Sequence, residues 1–269
     1  GKLKKKEDAF DTLFVNASSV CAYDFDGDAN TDLFIGGRSV PWVYGESPRS
    51  YLLKNDGHGK FTDVTKIVAP DLSEAGMITS GQWYDLDHDG DKDLLTSEDW
   101  GTINAYINEK GKFHLKKLTE KKGWWNFILP VDIDHDGDID FVAGNQGLNN
   151  RLRPTAAEPV RLYLNDFDGN GRKEQIITYY LEGQEIPFMG KGDLQKILPS
   201  LKKKFLYAEK YAETPLKKIF PGSTLENSKI LSVDFFANVI LINDVKGNFH
   251  EQELPAENQF SPLKCGVLL

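Results

Sequence analysis

Short apolar segments alternate with polar loops along most of the chain. These segments are rich in β-branched and aromatic residues and end on Gly or polar residues, as in ITSGQWY at positions 78–84 and LLTSE at positions 94–98. Runs of this length and composition are typical of buried β-strands rather than helices. The pattern therefore predicts a protein built mainly from short strands.

A second element recurs downstream of these strands. It consists of an apolar segment, an Asn, a turn that ends in Gly and then a Phe, and it reads YLLKNDGHGKF from Tyr51, AYINEKGKF from Ala105 and VILINDVKGNF from Val239. Asn, Asp and Gly tolerate the positive φ that tight hairpin turns need. One unit is then strand, acidic loop, strand, variable loop, strand, tight turn and strand, which is the four-stranded antiparallel blade of a β-propeller. We predict an all-β propeller that occupies residues 1–269 as a single domain.

Three stretches interrupt this repeat. Residues 38–50 and 145–159 form polar loops, and the first of them carries Trp42 and Tyr44, which we expect to be exposed. Residues 183–229 contain apolar side chains at helical spacing, which are Leu198, Leu201, Phe205, Ala208 and Tyr211. This spacing predicts a small insertion of one or two amphipathic helices within the fourth unit.

Four acidic loops, here called loops 1 to 4, stand between the first and second strands of the units. They read DFDGDANTD, DLDHDGDKD, DIDHDGDID and DFDGNGRKE, and they span Asp24–Asp32, Asp85–Asp93, Asp132–Asp140 and Asp166–Glu174. Positions 1, 3, 5 and 9 of each loop supply carboxylate or amide oxygens, and position 7 can add its backbone carbonyl. Ca²⁺ takes six to eight oxygen ligands, whereas carboxylates this close together would repel one another without a cation.

We therefore predict three to four bound Ca²⁺ ions. The predicted ligands occupy positions 1, 3, 5, 7 and 9 of the loops and are Asp24, Asp26, Asp28, Asn30, Asp32, Asp85, Asp87, Asp89, Asp91, Asp93, Asp132, Asp134, Asp136, Asp138, Asp140, Asp166, Asp168, Asn170, Arg172 and Glu174. Loop 4 holds three carboxylates, because Asn170 replaces an acid, and we expect it to bind Ca²⁺ more weakly than the others.

Other interpretations of these loops fit less well. An EF-hand needs a Glu at position 12 and a helix on each side, but position 12 is Ile35, Thr96, Ala143 or Ile177 and the flanks are strand-like. Solvated turns or a catalytic carboxylate cluster would not recur unit after unit. The all-oxygen ligand set favours Ca²⁺ over a transition metal.

Side chains near the loops have simpler expected roles. His88 and His135 occupy position 4 of loops 2 and 3, and we expect both to be exposed rather than ligands. Trp83, Trp100, Trp124 and Trp125 lie on or beside predicted strands, so we expect them to pack in the core.

Charge and composition narrow the class of partner. The net charge is −9, and the four loops hold 17 of the 41 acidic residues, so the remaining surface is mildly basic and its basic residues are dispersed. This does not favour nucleic acid as a partner. The chain contains no apolar run of the roughly 18–20 residues needed to span a membrane. Cys21 and Cys265 are expected to be buried free thiols.

The loops and the strands that follow them resemble the FG-GAP/VCBS repeat family, which forms the calcium-bearing blades of integrin α-subunit propellers and of many bacterial secreted proteins. The resemblance lies in DFDGDANTDLFIGG, DLDHDGDKDLLTSE and DIDHDGDIDFVAGN. The segments GGRSVPWVYGESPRSYLLKNDG and LPAENQFSP are similar to a bacterial subgroup in which such repeats precede an ASPIC/UnbV domain, as in cartilage acidic protein. The ASPIC/UnbV segment itself is absent.

This resemblance implies a protein that is extracellular, displayed on the cell surface or periplasmic, and that binds a protein or carbohydrate ligand. We expect a non-enzymatic Ca²⁺-dependent binding module and a monomer. A polysaccharide lyase or hydrolase on a Ca²⁺-stabilised propeller, and a purely structural domain of a larger surface protein, are the alternatives. Because the chain begins at Gly1 and stops on the apolar run CGVLL, we also expect it to be a fragment of a longer protein.

Overall fold

The structure, a computed structural model, describes residues 5–10, 13–244 and 247–267. The chain divides into two compact units. Unit 1 comprises Gly1–Pro41, Glu46–Asn149 and Ala237–Leu269, and unit 2 comprises Trp42–Gly45 and Asn150–Phe236. The described residues form four antiparallel sheets and a few short helices, so the prediction of a mainly β protein is confirmed.

Unit 1 contains three sheets. The strands of sheet I, in spatial order, are β1 (Ala17–Tyr23), β2 (Asp32–Gly37), β3 (Tyr51–Asn55) and β4 (Phe61–Asp63). The strands of sheet II are β5 (Met77–Tyr84), β6 (Asp93–Gly101), β7 (Ile103–Asn108) and β8 (Phe113–Lys117), with the short strand β9 (Gly123–Trp124) paired to β6. The strands of sheet III are β10 (Phe127–Val131), β11 (Asp140–Gly144), β16 (Val239–Asn243) and β17 (Phe249–Glu253).

Each of these sheets follows the predicted unit. An acidic loop joins the first strand to the second, and a tight turn joins the third strand to the fourth. Unit 1 also contains the short helix α1 (Thr65–Val68) and the 3-10 helices Pro70–Glu74 and Ala256–Gln259.

The first strands of the three sheets lie next to one another. Ser18 Oγ on β1 donates to the Ile78 carbonyl on β5 at 2.7 Å, and Gln82 Nε2 on β5 donates to the Ile128 carbonyl on β10 at 2.7 Å. The approach is close, because a Cβ added at Gly81 would lie 2.4 Å from the Phe34 ring. The order of the sheets along the chain is thus also their order in space within unit 1.

Apolar side chains fill the space between sheets I and II. The buried members of this cluster are Phe25, Phe34, Leu52, Ala69, Leu72, Ala75, Ile78, Leu94, Tyr106 and Phe113. Of the tryptophans predicted to pack in the core, Trp100 and Trp125 are buried, and Trp83 and Trp124 are partly buried.

Unit 2 contains sheet IV, and its strand order differs from that of the other sheets. In spatial order the strands are β14 (Gln184–Pro187), β13 (Glu174–Leu181), β12 (Val160–Asn165) and β15 (Lys229–Val233). The last strand therefore pairs with the first strand instead of the third. Asn150–Phe236 of this unit lie in the sequence between β11 and β16, which are neighbouring strands of sheet III.

The prediction of one or two helices is wrong in number. Residues 184–187 are a strand, and five short helices follow it, namely α2 (Lys191–Ile197), α3 (Leu201–Lys204), α4 (Ala208–Ala212), α5 (Leu216–Ile219) and α6 (Gly222–Glu226). Pro199, Pro215 and Pro221 stand at three of the four breaks between these helices, because proline lacks the N–H of a helix interior and disfavours helix in the preceding residue. Leu198, Leu201, Phe205 and Tyr211 are buried against β12 and β13 as their spacing predicts, whereas Ala208 is exposed.

Two further predictions need correction. Cys21 and Cys265 are both free, but Cys21 is half-buried, where its Sγ donates to the Gly81 carbonyl, and Cys265 is exposed. Trp42 is 98% exposed, as expected, whereas Tyr44 is half-buried. The neighbouring Gly45 lies so near β12 that a Cβ there would be 2.7 Å from the Leu162 side chain, so this segment packs on sheet IV.

Candidate metal centres

A buried carboxylate at position 9 holds each acidic loop in place. In loop 1, Asp32 Oδ2 accepts from Phe25 N at 3.2 Å and Oδ1 accepts from Asn55 N at 2.8 Å. In loop 2, Asp93 accepts from Leu86 N and Asn108 N, both at 2.8 Å. Position 9 therefore ties position 2 of its own loop to the end of the third strand of the sheet.

Loops 3 and 4 use the same position. Asp140 accepts from Ile133 N at 3.0 Å and from Asn243 N at 2.9 Å. In loop 4, Glu174 Oε2 accepts from Phe167 N at 2.8 Å. Every position 9 residue is buried.

The recurring Asn at the end of the third strand is a brace that the sequence pattern did not reveal. Asn55 Nδ2 donates to the carbonyl of Thr31, position 8 of loop 1, at 2.9 Å. Asn108 Nδ2 donates to the carbonyls of Phe25 at 2.9 Å and Lys92 at 3.3 Å. The Oδ1 atoms of both residues accept backbone N–H groups of the tight turn. The only sequence signal for this brace is the recurrence of the Asn, which the preference of hairpin turns for Asn also accounts for.

In every loop, three acidic side chains converge. Each contributes one carboxylate oxygen, and within a loop these oxygens lie within 4.8 Å of one another. The groups are Asp24, Asp26 and Asp32; Asp85, Asp87 and Asp93; Asp132, Asp134 and Asp136; and Asp166, Asp168 and Glu174. Carboxylate oxygens at this spacing can all contact one Ca²⁺, which binds oxygen at about 2.3–2.6 Å.

Unsatisfied oxygens indicate that a cation fits these loops. Asp26 Oδ1, Asp85 Oδ1 and Asp132 Oδ1 are buried and accept no hydrogen bond in the described structure. A buried acceptor without a partner costs about 1–3 kcal/mol, and more when it is charged. A hard divalent cation would satisfy these atoms, so the residues present fit the ion.

The raised pKa values of Asp93 and Asp32 also indicate that a cation fits these loops. Burial raises the pKa of Asp93 to about 6, and the like charges of Asp87 and Asp89 add to this rise. Burial also raises the pKa of Asp32, with a further rise from Asp26 and Asp28. In the absence of a cation, folding therefore opposes ionisation of Asp93 and Asp32. A bound Ca²⁺ reverses this effect, because an opposite charge favours the ionised form.

Position 1 divides the loops into two pairs. Asp24 in loop 1 accepts the N–H groups of Gly27, Asp28 and Ala29 at 2.7–3.1 Å. In loop 4, Asp166 likewise accepts three N–H groups, from Gly169, Asn170 and Gly171, and these bonds lower its pKa. In loops 2 and 3, Asp85 and Asp132 each keep the partnerless Oδ1 described above. Loops 2 and 3 thus have the position 1 oxygens most available to a cation.

The remaining predicted ligands lie at positions 5 and 7. Asp136 is a member of the loop 3 cluster. In all four loops the side chain at position 5, which is Asp28, Asp89, Asp136 or Asn170, accepts the N–H of position 7 at 2.8–2.9 Å. This bond turns the backbone of position 7, which is Asn30, Asp91, Asp138 or Arg172. His88 and His135 are exposed, with φ of 59° and 62° at the loop tips.

Loop 1 has an additional charged neighbour on β3. Lys54 Nζ pairs with Asp26 Oδ2 and lies 3.0 Å from Asp28 Oδ2. Hydrogen bonds to these two carboxylates raise the pKa of Lys54, and the backbone N–H of Asn30 followed by Lys54 lowers the pKa of Asp28. Lys54 lies outside the acidic motif of loop 1, so the motif does not predict this contact.

A second type of polar cluster occurs in unit 2, outside the acidic loops. Glu185 accepts from Arg161 at 2.9 Å, from Tyr163 at 3.1 Å and from Thr178 at 2.7 Å, and Tyr180 accepts from Arg161 at 2.9 Å. Both carboxylate oxygens are used, which is typical of a network that fixes neighbouring strands.

Comparison with known proteins bears on the loops directly. No curated protein matches this sequence. In the described part of the chain, no helix is both long enough and apolar enough to cross a membrane. The sequence profile of the FG-GAP-like repeat matches residues 24–96 and, overlapping them, residues 85–143. Residues 24–143, which include loops 1 to 3, are therefore FG-GAP-like repeats.

Proposed function

We propose that this protein is a Ca²⁺-binding β-propeller module that acts outside the cytoplasm and binds a protein or carbohydrate ligand. It has no catalytic role in this proposal. The observation that carries the proposal is the convergence of three acidic side chains in each of four loops, together with the buried partnerless oxygens of Asp26, Asp85 and Asp132. The ions stabilise the loops, and the loops join the first two strands of each sheet.

The donor set and the repeat support Ca²⁺. Carboxylate oxygens, with the position 7 carbonyl, are hard ligands that suit Ca²⁺ better than thiol- or imidazole-binding metals. Extracellular modules work with dissociation constants of about 10⁻⁴–10⁻³ M. An exposed loop with several carboxylates is therefore filled where Ca²⁺ is millimolar, which favours a secreted, surface or periplasmic location.

The arrangement of sheets I to III supports a propeller. Four-stranded antiparallel sheets whose first strands lie side by side are what adjacent blades share around a central axis. The hydrogen bonds from β1 to β5 and from β5 to β10 provide this contact. The resemblance of residues 36–57 and 254–262 to proteins with an ASPIC/UnbV domain supports a bacterial member of this group.

Removal of Ca²⁺ tests the metal assignment. At free Ca²⁺ of 10 times Kd, each occupied site adds about 1.4 kcal/mol to the free energy of unfolding. For a chain of this size each kcal/mol corresponds to about 2–4 °C in Tm. Melting in excess EGTA should therefore lower Tm by roughly 10–25 °C relative to millimolar Ca²⁺. Restoring Ca²⁺ in excess over EGTA should return the original Tm, whereas equal curves in both buffers contradict the proposal.

Ligand binding needs a separate test. The Ca²⁺-loaded protein is applied to a glycan array and the same experiment is repeated in EGTA. Ca²⁺-dependent binding to a defined glycan class supports the module. Trp42, which is 98% exposed with φ of 68°, is a candidate contact, because exposed aromatic side chains on loops often anchor ligands. Trp42→Ala should then weaken binding without changing Tm.

A polysaccharide-active enzyme is the second candidate. Arg161, Tyr163, Tyr180 and Glu185 of unit 2 are the side-chain types that such an enzyme requires, and they lie together. Release of unsaturated sugar products from a panel of polysaccharides, lost in Glu185→Gln, would favour the enzyme over the binding module.

A further inference from the structure

Lys54 is the point at which sheet I departs from sheets II and III. The backbone N–H groups of Asn55, Asn108 and Asn243 each bond Oδ1 of the position 9 Asp in their own sheet, so these three residues are structurally equivalent. The residue before each is therefore equivalent too. It is half-buried in all three sheets, but it is Lys54 in sheet I, Ile107 in sheet II and Ile242 in sheet III.

This substitution places a positive charge inside the carboxylate cluster of loop 1. Lys54 Nζ pairs with Asp26 and lies 3.0 Å from Asp28, two of the predicted Ca²⁺ ligands. Neither Ile107 nor Ile242 can supply such a charge to loop 2 or loop 3. Loop 1 also has its position 1 carboxylate occupied by three backbone N–H groups, whereas Asp85 and Asp132 retain a partnerless oxygen.

We infer that Lys54 is a tethered cation that competes with Ca²⁺ for Asp26 and Asp28, so that loop 1 is the weakest Ca²⁺ site of unit 1 and keeps its shape without the ion. The inference rests on the proposed Ca²⁺-binding function. To occupy loop 1, Ca²⁺ must displace the ammonium from both carboxylates, and the displaced ammonium remains nearby and repels the ion. Loops 2 and 3 bind without this competition.

Lys54 also affects the charge of loop 1 when no ion is bound. Lys54 offsets one of the two negative charges of Asp26 and Asp28, so loop 1 depends less than loops 2 and 3 on an external cation to relieve repulsion. Loops 2 and 3 have no such internal cation in the described structure. Sheet I should therefore stay ordered at Ca²⁺ concentrations at which the acidic loops of sheets II and III have lost their ions.

Hydrogen–deuterium exchange during a CaCl₂ titration of the full chain reads each loop separately. Peptides that cover residues 24–32 and 85–93 report the Ca²⁺ midpoint of loop 1 and loop 2. We expect the loop 1 midpoint to lie about fivefold above that of loop 2, since a charge pair at a partly exposed site changes affinity by up to about this factor. Lys54→Ile should lower the loop 1 midpoint to that of loop 2, and Ile107→Lys should raise the loop 2 midpoint.

The controls separate the inference from the function on which it rests. Lys54→Met removes the charge but keeps an unbranched side chain, so it should match Lys54→Ile; Ile107→Met tests whether a linear side chain alone disturbs loop 2. If loops 2 and 3 titrate with Ca²⁺ while both Lys54 variants leave the loop 1 midpoint unchanged, the competition is overturned and the metal function stands. If no acidic loop gains protection with CaCl₂, the metal function itself is overturned.

Discussion

Two buried carboxylates of sheet II show how the surroundings of a side chain set its role. Asp93 accepts two backbone N–H groups and converges with Asp85 and Asp87. Its negative charge therefore stabilises the fold only when a cation is bound between these carboxylates. Glu98 accepts from Asn104 Nδ2 at 2.9 Å and lies outside the acidic loops. The first residue should therefore link stability to Ca²⁺, and the second should link stability to pH.

Asp93→Asn should destabilise the protein chiefly when Ca²⁺ is present. The substitution removes a ligand charge, and we expect a loss of about 1–1.5 kcal/mol in millimolar Ca²⁺, which is roughly 2–6 °C in Tm. In EGTA the loss should be much smaller, because relief of repulsion from Asp85 and Asp87 offsets the weakened backbone hydrogen bond. Asp91→Asn is the matched control, since position 7 is predicted to bind through its carbonyl. Equal losses in the two buffers would show that Asp93 acts only through its hydrogen bonds.

Glu98 should make the protein less stable as the pH rises towards neutrality. Burial raises the pKa of Glu98 from 4.5 to about 7, so between these values the folded state binds more protons than the unfolded state. The contribution of Glu98 is fully present below about pH 4.5 and is lost as the pH rises through about 7; its size is at most about 3 kcal/mol.

The measurement is denaturant unfolding from pH 5 to pH 8 at saturating Ca²⁺, which holds the loops constant. Glu98→Gln cannot ionise and still offers Asn104 an acceptor, so it should flatten the pH dependence. A profile that is unchanged by this substitution would contradict the assignment to Glu98.

The sequence predicted the acidic side chains that converge because their spacing is local. Nine consecutive residues place positions 1, 3 and 9 together in loops 1, 2 and 4 whatever lies around them. Lys54 was not predicted, since its contact with Asp26 depends on the pairing of β2 with β3 across the variable loop. The pattern of a single loop contains no information about a charge that reaches it from another strand.

Strands and turns act together through the recurring Asn. The Asn108 side chain joins the carbonyls of Phe25 in loop 1 and Lys92 in loop 2 to the N–H of Gly111 in the tight turn. One side chain thus connects an acidic loop of sheet I with the loop and hairpin of sheet II. This brace explains why the Asn and the acidic loop recur as a pair.

Asn108→Ala should weaken both the fold and the second metal loop. Loss of buried hydrogen bonds with both carbonyls costs about 1–3 kcal/mol, and loop 2 should need more Ca²⁺ for protection from exchange. Asn108→Asp is the matched control, because it keeps the acceptor for Gly111 N and loses both donors. If the two variants melt alike, the donors carry the effect; if Asn108→Asp matches the original protein, only the turn contact matters.

The strand pairings that the sequence did not predict join strands that are far apart in the sequence. The strand β16 was recognised by its turn motif, but its pairing with β11 was hidden by the intervening unit 2. The strand order of sheet IV was hidden for the same reason, since β15 reaches β12 only after five helices. Three of the four breaks between the helices were within reach, because Pro199, Pro215 and Pro221 are visible in the sequence and each one interrupts helical hydrogen bonding. The break between α3 and α4 contains no proline and carries no such signal.

At the scale of the whole molecule, residues 150–236 are an insertion into sheet III, and the four strands of this sheet all lie outside the insertion. Val142 pairs with Ile240 and Ala143 pairs with Val239, so β11 and β16 are adjacent antiparallel strands. Beyond them, Asn145 N donates to Asn238 Oδ1 at 2.6 Å. The chain therefore leaves sheet III and returns to it at neighbouring positions, as it would in a hairpin with a short loop.

Replacing residues 150–236 with a short Gly/Ser linker should leave sheets I to III folded and Ca²⁺-dependent. A shorter connection lowers the entropic cost of joining β11 to β16, and every ligand of loops 1 to 3 is retained. Native mass spectrometry in excess Ca²⁺ should show one ion fewer than in the full chain, because loop 4 is removed. The full chain with Asp166→Ala and Asp168→Ala should lose the same ion while keeping unit 2. A shortened chain that is unfolded in Ca²⁺, or that retains the full number of ions, would contradict the view that sheets I to III are sufficient for three of the metal sites.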